Sequence, residues 1–393
     1  MKPQAYLNAF QVLSPAGRGL DALSAALHGG PCPGFGPGPE FAAGGASHPV
    51  GRIPFEVRGP ERIAREHASR NNRLAYDAVA GLLPDLERLK SRYGASRIAV
   101  VVGTSTSGIL EAEPAFEALA RTGTLAPEYR YEQQEIGSPA VFLSAQLGLG
   151  GPALVVSTAC SSSARALATA RRLLRLDACD AVLCGGVDTL CRFTLHGFGA
   201  LGALSDARCN PFSRNRKGIH IGEAAAFCLV SADEGPVRLA GCGEASDAYN
   251  VSAPLPGGEG AEAAMRAALA DAGPGEIGYL NLHGTATAQN DAMEALATAR
   301  VFPGGLPCSS TKPVTGHTLG AAGALEAAIC WDLLCGRAST AGLPANLSDG
   351  QDDPALPAIG LLKAPLKVGG LKRAMSNSFG FGGSNVSLVL ERV

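Results

Sequence analysis

The chain has 393 residues, of which 46% are hydrophobic and 17% are charged, and its formal net charge at pH 7 is −2. This length and composition are sufficient for one large globular domain, or two smaller ones, with a substantial core. The small net charge and the lack of a dense Lys/Arg run argue against a nucleic-acid-binding protein, although a local basic patch remains open around Arg165, Arg171, Arg172 and Arg175.

The N-terminal segment and the cysteines bear on the cellular compartment. Residues 1–13 lack the apolar core of a secretory signal, and no apolar run reaches the roughly 18 residues of a membrane helix. We therefore expect a cytoplasmic protein without a membrane span. The 11 cysteines are odd in number and form no C-x-x-C pair, which favours reduced thiols over a disulfide framework or a zinc site.

Short apolar runs alternate with longer segments rich in Ala, Leu and Arg. Residues 29–51 are crowded with Gly and Pro and predict a surface loop. Strands are predicted at 98–103, 153–156, 181–185, 225–231, 279–282 and 386–390. Helices are predicted at 161–176, 262–272 and 321–334. This alternation predicts an α/β fold with helices layered on sheet.

Cys160 follows the predicted strand 153–156 and directly precedes the predicted helix 161–176. A thiol at this junction faces the unpaired N–H groups of the first helical turn, which favour the thiolate and lower the pKa of a cysteine. Cys160 is therefore a candidate nucleophile. Cys179, Cys184, Cys228 and Cys330 lie in apolar runs instead, and we interpret them as small core residues.

The second half of the chain contains a weak echo of the Cys160 segment. Residues 308–312 lead through a turn into Gly316-His317 and another helix of small residues. His283 ends the predicted strand 279–282 and is followed by Gly284-Thr285-Ala286-Thr287. His283 and His317 are therefore candidate bases or hydrogen-bond donors, whereas we interpret the other five histidines as structural or surface residues.

Five ordered motifs span most of the chain. They are 157–163 around Cys160, 210–212 with Gly222-Glu223, 281–287 around His283 with Asn290, Asp291 and Glu294, 310–323 with Lys312 and His317, and 377–385. Together these motifs resemble the β-ketoacyl-acyl carrier protein synthases, the condensing enzymes of fatty-acid and polyketide assembly. Residues 157–163, 191–193, 215–219 and 375–377 are most similar to the ketosynthases of aryl polyene pathways.

The resemblance implies a thiolase fold, in which two similar βαβ-rich halves form α-β-α-β-α layers. We place the N-terminal half, with the nucleophile, at 1–234 and the C-terminal half, with both histidines, at 235–393. The implied reaction is a decarboxylative condensation of a cysteine-bound acyl chain with malonyl on an acyl carrier protein. The implied partners are acyl carrier protein, acyl and malonyl thioesters, and a second subunit, either another copy or a chain-length-factor-like homologue. No cofactor or metal is implied, because the pantetheine arm arrives on the carrier protein.

Roles in the family carry over to matching positions of this chain. Cys160 would accept the acyl chain, while His283 and His317 would promote malonyl decarboxylation and hold the enolate oxygen. Lys312 would organise this site with support from Glu326. The remaining matched positions are the gate and oxyanion-hole residue Phe381, whose N–H would act with that of Cys160, and the substrate-binding residues Thr285, Thr287 and Phe379.

The chain also departs from the family pattern. Lys217 stands where the family often has Asp, and Ala286 and Ala288 replace the commoner Ser and Pro. Two alternatives remain open: a chain-length-factor-like subunit that shapes a partner's acyl tunnel, and a thiolase. The first typically lacks the nucleophile that Cys160 supplies. The second uses a catalytic Cys near the C-terminus, whereas the last cysteine here is Cys335.

Overall fold

Strands and helices alternate through residues 3–42 and 47–393, which the computed structural model describes. The strands are β1 Tyr6–Ser14, β2 Gly17–Arg18, β3 Phe35–Pro37, β4 Pro49–Gly51, β5 Ile98–Gly103, β6 Ala153–Val156, β7 Ala181–Asp188, β8 Ile221–Gly222, β9 Ala224–Ser231, β10 Val237–Ser246, β11 Tyr279–Asn281, β12 Cys308–Ser309, β13 Arg373–Gly380 and β14 Ser384–Arg392. The helices are α1 Gly19–Leu27, α2 Arg70–Ala80, α3 Leu83–Tyr93, α4 Ile109–Thr122, α5 Tyr131–Gln134, α6 Ser138–Leu147, α7 Ser162–Arg175, α8 Arg192–Ala200, α9 Glu259–Ala272, α10 Ala288–Val301, α11 Lys312–Thr315, α12 Ala322–Asp332 and α13 Ala338–Thr340.

One strand order occurs twice in the large sheet. The N-terminal part runs β6-β5-β7-β9-β1, and the C-terminal part runs β12-β11-β13-β14-β10. If each set of five is numbered in chain order, both parts read 3-2-4-5-1. Both also have the same sense of pairing, with parallel pairs at the 3-2 and 2-4 contacts and antiparallel pairs at 4-5 and 5-1. The fold is therefore two similar halves, as the thiolase fold requires.

The two halves meet through one short strand pair and a shared helical layer. Strands β1 and β10 pair only at Tyr6–Arg238 and Leu7–Val237. Helices α7 and α12 contact each other and strands of both halves, while α2 and α6 cover one outer face and α9 the other. This is the expected α-β-α-β-α layering. The division of the chain at 234/235 stays a prediction, and β10 begins at Val237.

Small residues let the central helices approach the sheet and each other. A Cβ atom at Gly103 would lie 2.4 Å from the Ser163 backbone, and one at Gly323 would lie 2.6 Å from the Ala164 nitrogen. Gly103 lies in β5, Gly323 in α12, and both partner residues lie in the first turn of α7. Close packing of this turn fixes the start of α7, and Cys160 lies two residues before it.

All six predicted strands and all three predicted helices are present, with differences at their ends. Strand β7 extends to Asp188, and α12 ends at Asp332, where residues Leu333–Arg337 form a π-helical turn. Gly336 in this turn has a φ of 121° and interrupts the regular helix. Periodicity identifies an element better than its ends, because capping and local turns determine where it stops.

The prediction of a loop over 29–51 is wrong in part. Strands β3 and β4 lie within this range and form a small sheet with β8. Each contains three residues, too few for a periodic apolar pattern to identify. Residues 43–46 of the predicted loop lie outside the described residues.

The helical run Leu319–Thr340 is long and apolar enough to cross a membrane by length and composition. However, 78% of its most apolar window is buried inside the protein, and α12 contacts both halves of the sheet. Its apolar character is therefore explained by its place in the central layer.

The arginines of the possible basic patch are paired with acids. Arg165 and Arg172 both contact Glu244, and Arg171 and Arg175 both contact Asp271. These contacts balance much of the local positive charge.

Gly103→Ala should destabilise the protein by about 1–3 kcal/mol, because its methyl group would overlap backbone atoms of α7. Urea unfolding followed by circular dichroism measures the change. Gly197→Ala is the matched control: Gly197 lies in α8, and its added Cβ would have no neighbour within 4 Å. The control should be neutral or gain up to about 1 kcal/mol. Equal stability of Gly103→Ala and the wild type would contradict the packing interpretation.

Candidate active site

Cys160 lies at the turn between β6 and α7. The preceding residue, Ala159, has a φ of 53°, a left-handed conformation that a residue with a Cβ rarely adopts. The turn is held by Ser162, whose hydroxyl donates to the Ala159 carbonyl and accepts from the Thr158 N–H. Backbone strain stabilised in this way is common where a reactive side chain must be aimed at a substrate.

Two imidazole rings face the thiol. His317 Nε2 lies 2.9 Å from Cys160 Sγ, and the ring centroids of His283 and His317 are 5.4 Å apart. All three side chains are buried. The structure thus brings together the three residues that the sequence places in separate motifs.

Lys312 anchors the far side of this cluster. Its Nζ donates at 2.5 Å to the His283 carbonyl oxygen and at 2.5 Å to Glu326 Oε1, and it lies 3.5 Å from His283 Nδ1. Lys312 and Glu326 are both buried. Glu326 therefore balances a buried ammonium group whose charge acts on the imidazole beside it.

Burial and Lys312 determine the protonation of the two histidines. Burial is the main reason why the pKa of His283 lies well below its usual range, and the positive charge of Lys312 lowers it further. The pKa of His317 is lowered by the same two causes. Both imidazoles are thus neutral at pH 7, and each can donate one hydrogen bond and accept another.

The predicted lowering of the Cys160 pKa is wrong. Burial raises the pKa of the thiol to about 12, while Lys312 and the N–H groups of Phe381 and Cys160 itself act in the opposite direction. Cys160 is covered by protein rather than open to water, so desolvation of the thiolate outweighs the groups that favour it. The resting group is a thiol, and neutral His317 is within reach of its proton.

The N–H groups of Phe381 and Cys160 both act on the cysteine sulfur. Phe381 begins a turn directly after β13, where Gly382 and Gly383 have φ values of 78° and 71°. Two converging N–H groups beside a nucleophile form an arrangement that can stabilise an oxyanion. Their positions agree with the oxyanion-hole prediction, although that role stays a prediction.

The cluster lies at the base of an open cavity of about 480 Å³. Cys160, His283 and His317 line it together with Thr285, Thr287, Phe379 and Phe381, whereas Lys312 and Glu326 lie behind the histidines. The Thr285 and Thr287 hydroxyls are 2.9 Å apart, and the Phe379 ring centroid lies 6.0 Å from that of His283. The cavity therefore combines an apolar wall with a few polar groups, as small-molecule sites do.

Buried carboxylates hold the loops that carry the histidines. Glu294 accepts from the His283 N–H at 2.8 Å and the Gly284 N–H at 2.7 Å. Asp188 accepts from the Gly320 N–H at 2.6 Å and from the N–H groups of residues 105 and 106. From the sequence, Glu294 is identified only as part of a motif, and Asp188 is not among the predicted site residues. An acid that ends the buried strand β7 was the available signal.

By donor type, Cys160, His283 and His317 could hold a metal ion, since their ligand atoms lie within 4.8 Å of one another. The ammonium group of Lys312 lies 3.5 Å from His283 Nδ1. A positive charge at this distance disfavours a divalent cation. The arrangement fits acyl-transfer chemistry better than metal binding.

Family models match most of the chain. The model for the β-ketoacyl synthase N-terminal domain matches residues 56–234, and the model for the C-terminal domain matches residues 237–336. Nodulation protein E of Rhizobium meliloti is 34% identical over 313 residues, covering 76% of each chain. The 3-oxoacyl-[acyl-carrier-protein] synthase 2 of Coxiella burnetii is 33% identical over 321 residues, again covering 76% of each.

Solved structures of β-ketoacyl synthases are also similar to this chain. The ketosynthase ApeO, in complex with its chain length factor ApeC from Xenorhabdus doucetiae, is 41% identical, with a TM-score of 0.94 over 100% of this chain and 98% of that one. A β-ketoacyl synthase from Burkholderia phymatum is 26% identical, with a TM-score of 0.89 over 100% of both chains.

The rate of Cys160 alkylation by iodoacetamide should rise about tenfold per pH unit from pH 7 to 10, because thiolate is the reactive form and its fraction grows this way below the pKa. Peptide mass spectrometry separates Cys160 from the exposed Cys335. A plateau below pH 9 would instead show the lowered pKa that the sequence alone predicts.

Glu326→Ala should reduce the free energy of unfolding by about 3–5 kcal/mol, because it leaves the Lys312 ammonium buried without its partner. Urea unfolding measures this loss. The double variant Lys312→Met/Glu326→Leu should recover much of it, since no buried charge remains. If the single variant were as stable as the wild type, the ion pair would have no such role.

Proposed function

Because the chain belongs to the β-ketoacyl synthase family, we propose that it is an elongating ketosynthase that condenses a Cys160-bound acyl chain with malonyl carried on an acyl carrier protein. The observation that carries this proposal is the contact of Cys160 with His317, next to His283, at the base of an open cavity. A non-catalytic chain-length-factor-like subunit needs no such cluster.

The first half-reaction forms a thioester on Cys160. The sulfur attacks the carbonyl carbon of the acyl-pantetheine thioester while neutral His317 takes the thiol proton. The N–H groups of Phe381 and Cys160 stabilise the tetrahedral oxyanion. This intermediate collapses with loss of the pantetheine thiolate, which takes the proton from His317 and leaves as the thiol, so the acyl group is transferred without any change of oxidation state and His317 is again neutral.

The second half-reaction uses both imidazoles as donors. Malonyl-pantetheine binds with its thioester oxygen towards His283 and His317, and loss of CO₂ leaves an enolate whose charge their N–H groups stabilise. The enolate carbon attacks the Cys160 thioester, so that a carbon–carbon bond forms and the carbon–sulfur bond breaks. Cys160 leaves as the thiolate and takes up a proton from water to become the resting thiol again. Neutral rings suit this task, because they bind the developing anion without pairing permanently with the malonyl carboxylate.

Thr285, Thr287 and Phe379 are proposed to contact the pantetheine arm and the acyl chain. All three line the cavity, and Thr287 also caps α10 by accepting from the Asn290 N–H. The carrier protein brings the pantetheine, so the enzyme's own residues perform the chemistry without a resident cofactor or metal. We also propose a cytoplasmic location, where carrier-protein substrates are made.

We propose a second ketosynthase-fold chain as the dimer partner, either another copy or a chain-length-factor-like homologue. Within residues 3–42 and 47–393, strand β6 ends the large sheet and pairs with β5 alone, and Leu154 at this edge is 40% exposed. An unprotected edge strand with an apolar side chain suits protein pairing. The complex of ApeO with its chain length factor favours the heterodimer. An aryl polyene pathway is supported by the similarity to ApeO. It is also supported by four segments of this chain that resemble aryl polyene ketosynthases, residues 157–163, 191–193, 215–219 and 375–377.

The test is intact-protein mass spectrometry after mixing the chain with a panel of acyl carrier proteins. Wild type should gain the mass of the acyl group, whereas Cys160→Ala should gain none, because no other thiol faces both histidines. Cys335→Ala is the matched control, since Cys335 is exposed and lies outside the cavity, and it should be acylated like the wild type.

Acylation of Cys160→Ala to the wild-type extent would remove Cys160 as the nucleophile. No adduct on the wild type, alone or with a co-purified homologous chain, would favour a non-catalytic, chain-length-factor-like subunit.

His283→Ala and His317→Ala should retain some acylation while losing malonyl decarboxylation by about 100-fold or more.

A further inference from the structure

We propose that Phe198 is a positioning residue that holds the ring of Phe381 and thereby sets how often the cavity opens onto Cys160. Phe198 lies on α8, and its ring centroid is 5.4 Å from that of Phe381, at an interplanar angle of 39°. This separation lies within the range of favourable aromatic pairs. The inference rests on the proposed function, in which the Phe381 N–H acts beside the Cys160 sulfur, and on the gate role that the family resemblance implies for Phe381.

The two residues that follow Phe381 in its turn are hydrogen-bonded to residues 251 and 247. The Gly382 N–H donates to the Val251 carbonyl at 2.8 Å, and the Asp247 N–H donates to the Gly383 carbonyl at 2.9 Å. The side chain of Phe381 is held differently, because its ring partner belongs to α8. It is 37% exposed, so core packing does not lock it in place. Loss of the Phe198 ring would therefore free the Phe381 side chain more than the backbone of its turn.

The backbone on both sides of Phe381 is packed closely against neighbouring segments. Gly382 and Gly383 both have a positive φ, and no atom lies within 4 Å of the Cβ position of Gly382. Gly380, in contrast, is fitted tightly: a Cβ there would lie 2.8 Å from the Thr158 carbonyl oxygen. Gly383 is also fitted tightly, since a Cβ there would lie 2.6 Å from the Asp247 Cβ. The backbone is therefore held on both sides of Phe381, and movement of the cover falls to the Phe381 side chain.

Phe198 and Phe381 line the same cavity as Cys160, and the Cys160 residue is only 5% exposed. In this proposal, a thioester that reaches the sulfur displaces part of the aromatic pair. An aromatic pair of this kind stabilises the closed arrangement enough to change the open fraction by about 2- to 10-fold. Phe198 would consequently restrict entry to substrates that can displace the cover.

The test measures the rate of Cys160 alkylation by iodoacetamide at fixed pH, read from the Cys160 peptide. Phe198→Ala should react about 2- to 10-fold faster than the wild type, because it removes the ring partner. Phe198→Tyr keeps the ring and should restore the wild-type rate. Phe193→Ala is the matched control: Phe193 lies on the same helix, is 65% exposed and does not line the cavity. It should react like the wild type.

A double-mutant cycle distinguishes two explanations of a faster rate in Phe198→Ala. Either the Phe381 ring has lost its partner, or the cavity has become wider without any effect on Phe381. If Phe198 acts through Phe381, then Phe198→Ala/Phe381→Ala should react at the same rate as Phe381→Ala. If the two single effects multiply instead, each residue blocks the cavity independently and the proposal is wrong. An unchanged rate in Phe198→Ala would also overturn it. Should that variant unfold, Phe198→Leu enters the same cycle.

Alkylation requires neither carrier protein nor malonyl, so it is independent of the condensing reaction. A wild-type chain that accepts no acyl group would defeat the proposed function, yet the cycle would still report on the aromatic pair. If the wild type accepts acyl groups but the effects of Phe198→Ala and Phe381→Ala on the alkylation rate multiply, only the proposed role of Phe198 is wrong.

Discussion

The buried ammonium of Lys312 is the interaction on which the arrangement of the site depends. It donates to the His283 carbonyl and to Glu326, and its charge helps to keep both imidazoles neutral. An ammonium group is tolerated in the interior only when it is paired and hydrogen-bonded. The positions of α12, which carries Glu326, and of the loop after β11 are therefore linked at one point. The chemistry of the histidines follows from the same point, because neutral rings are what a decarboxylating site needs.

The fold was predictable in outline because its elements have strong local patterns. Residues 153–156 and 181–185 are short apolar runs, and both form strands of the buried sheet. The order of the strands was not predictable from these patterns, since pairing partners lie far apart in the chain. Residues 35–37 and 49–51 show a further limit, because strands of three residues carry too little periodicity to be distinguished from a loop.

The residues of the site were predictable from the sequence, but their burial and its effect on their pKa values were not. Motif resemblance selected Cys160, His283, His317, Lys312 and Glu326, and the structure brings them together. It could not give the raised pKa of Cys160, because a sequence does not state how much protein covers a helix start. Asp188 and Phe198 were missed for a related reason. Each is important only because of a neighbour that is distant in the chain.

The two halves share a strand order. During synthesis, however, the first strand of the N-terminal half waits longer for its sheet partner than the first strand of the C-terminal half does. Leu7 of β1 pairs with Val230 of β9, and the Trp331 indole donates to the Leu7 carbonyl. A ribosome adds about 5–20 residues per second, so β1 waits on the order of ten seconds or more for its sheet partner. Strand β10 meets β14 after a shorter interval. Strand β1 therefore stays without its β9 partner for longer than β10 stays without β14, and a chaperone that binds extended apolar segments would have a longer opportunity at β1.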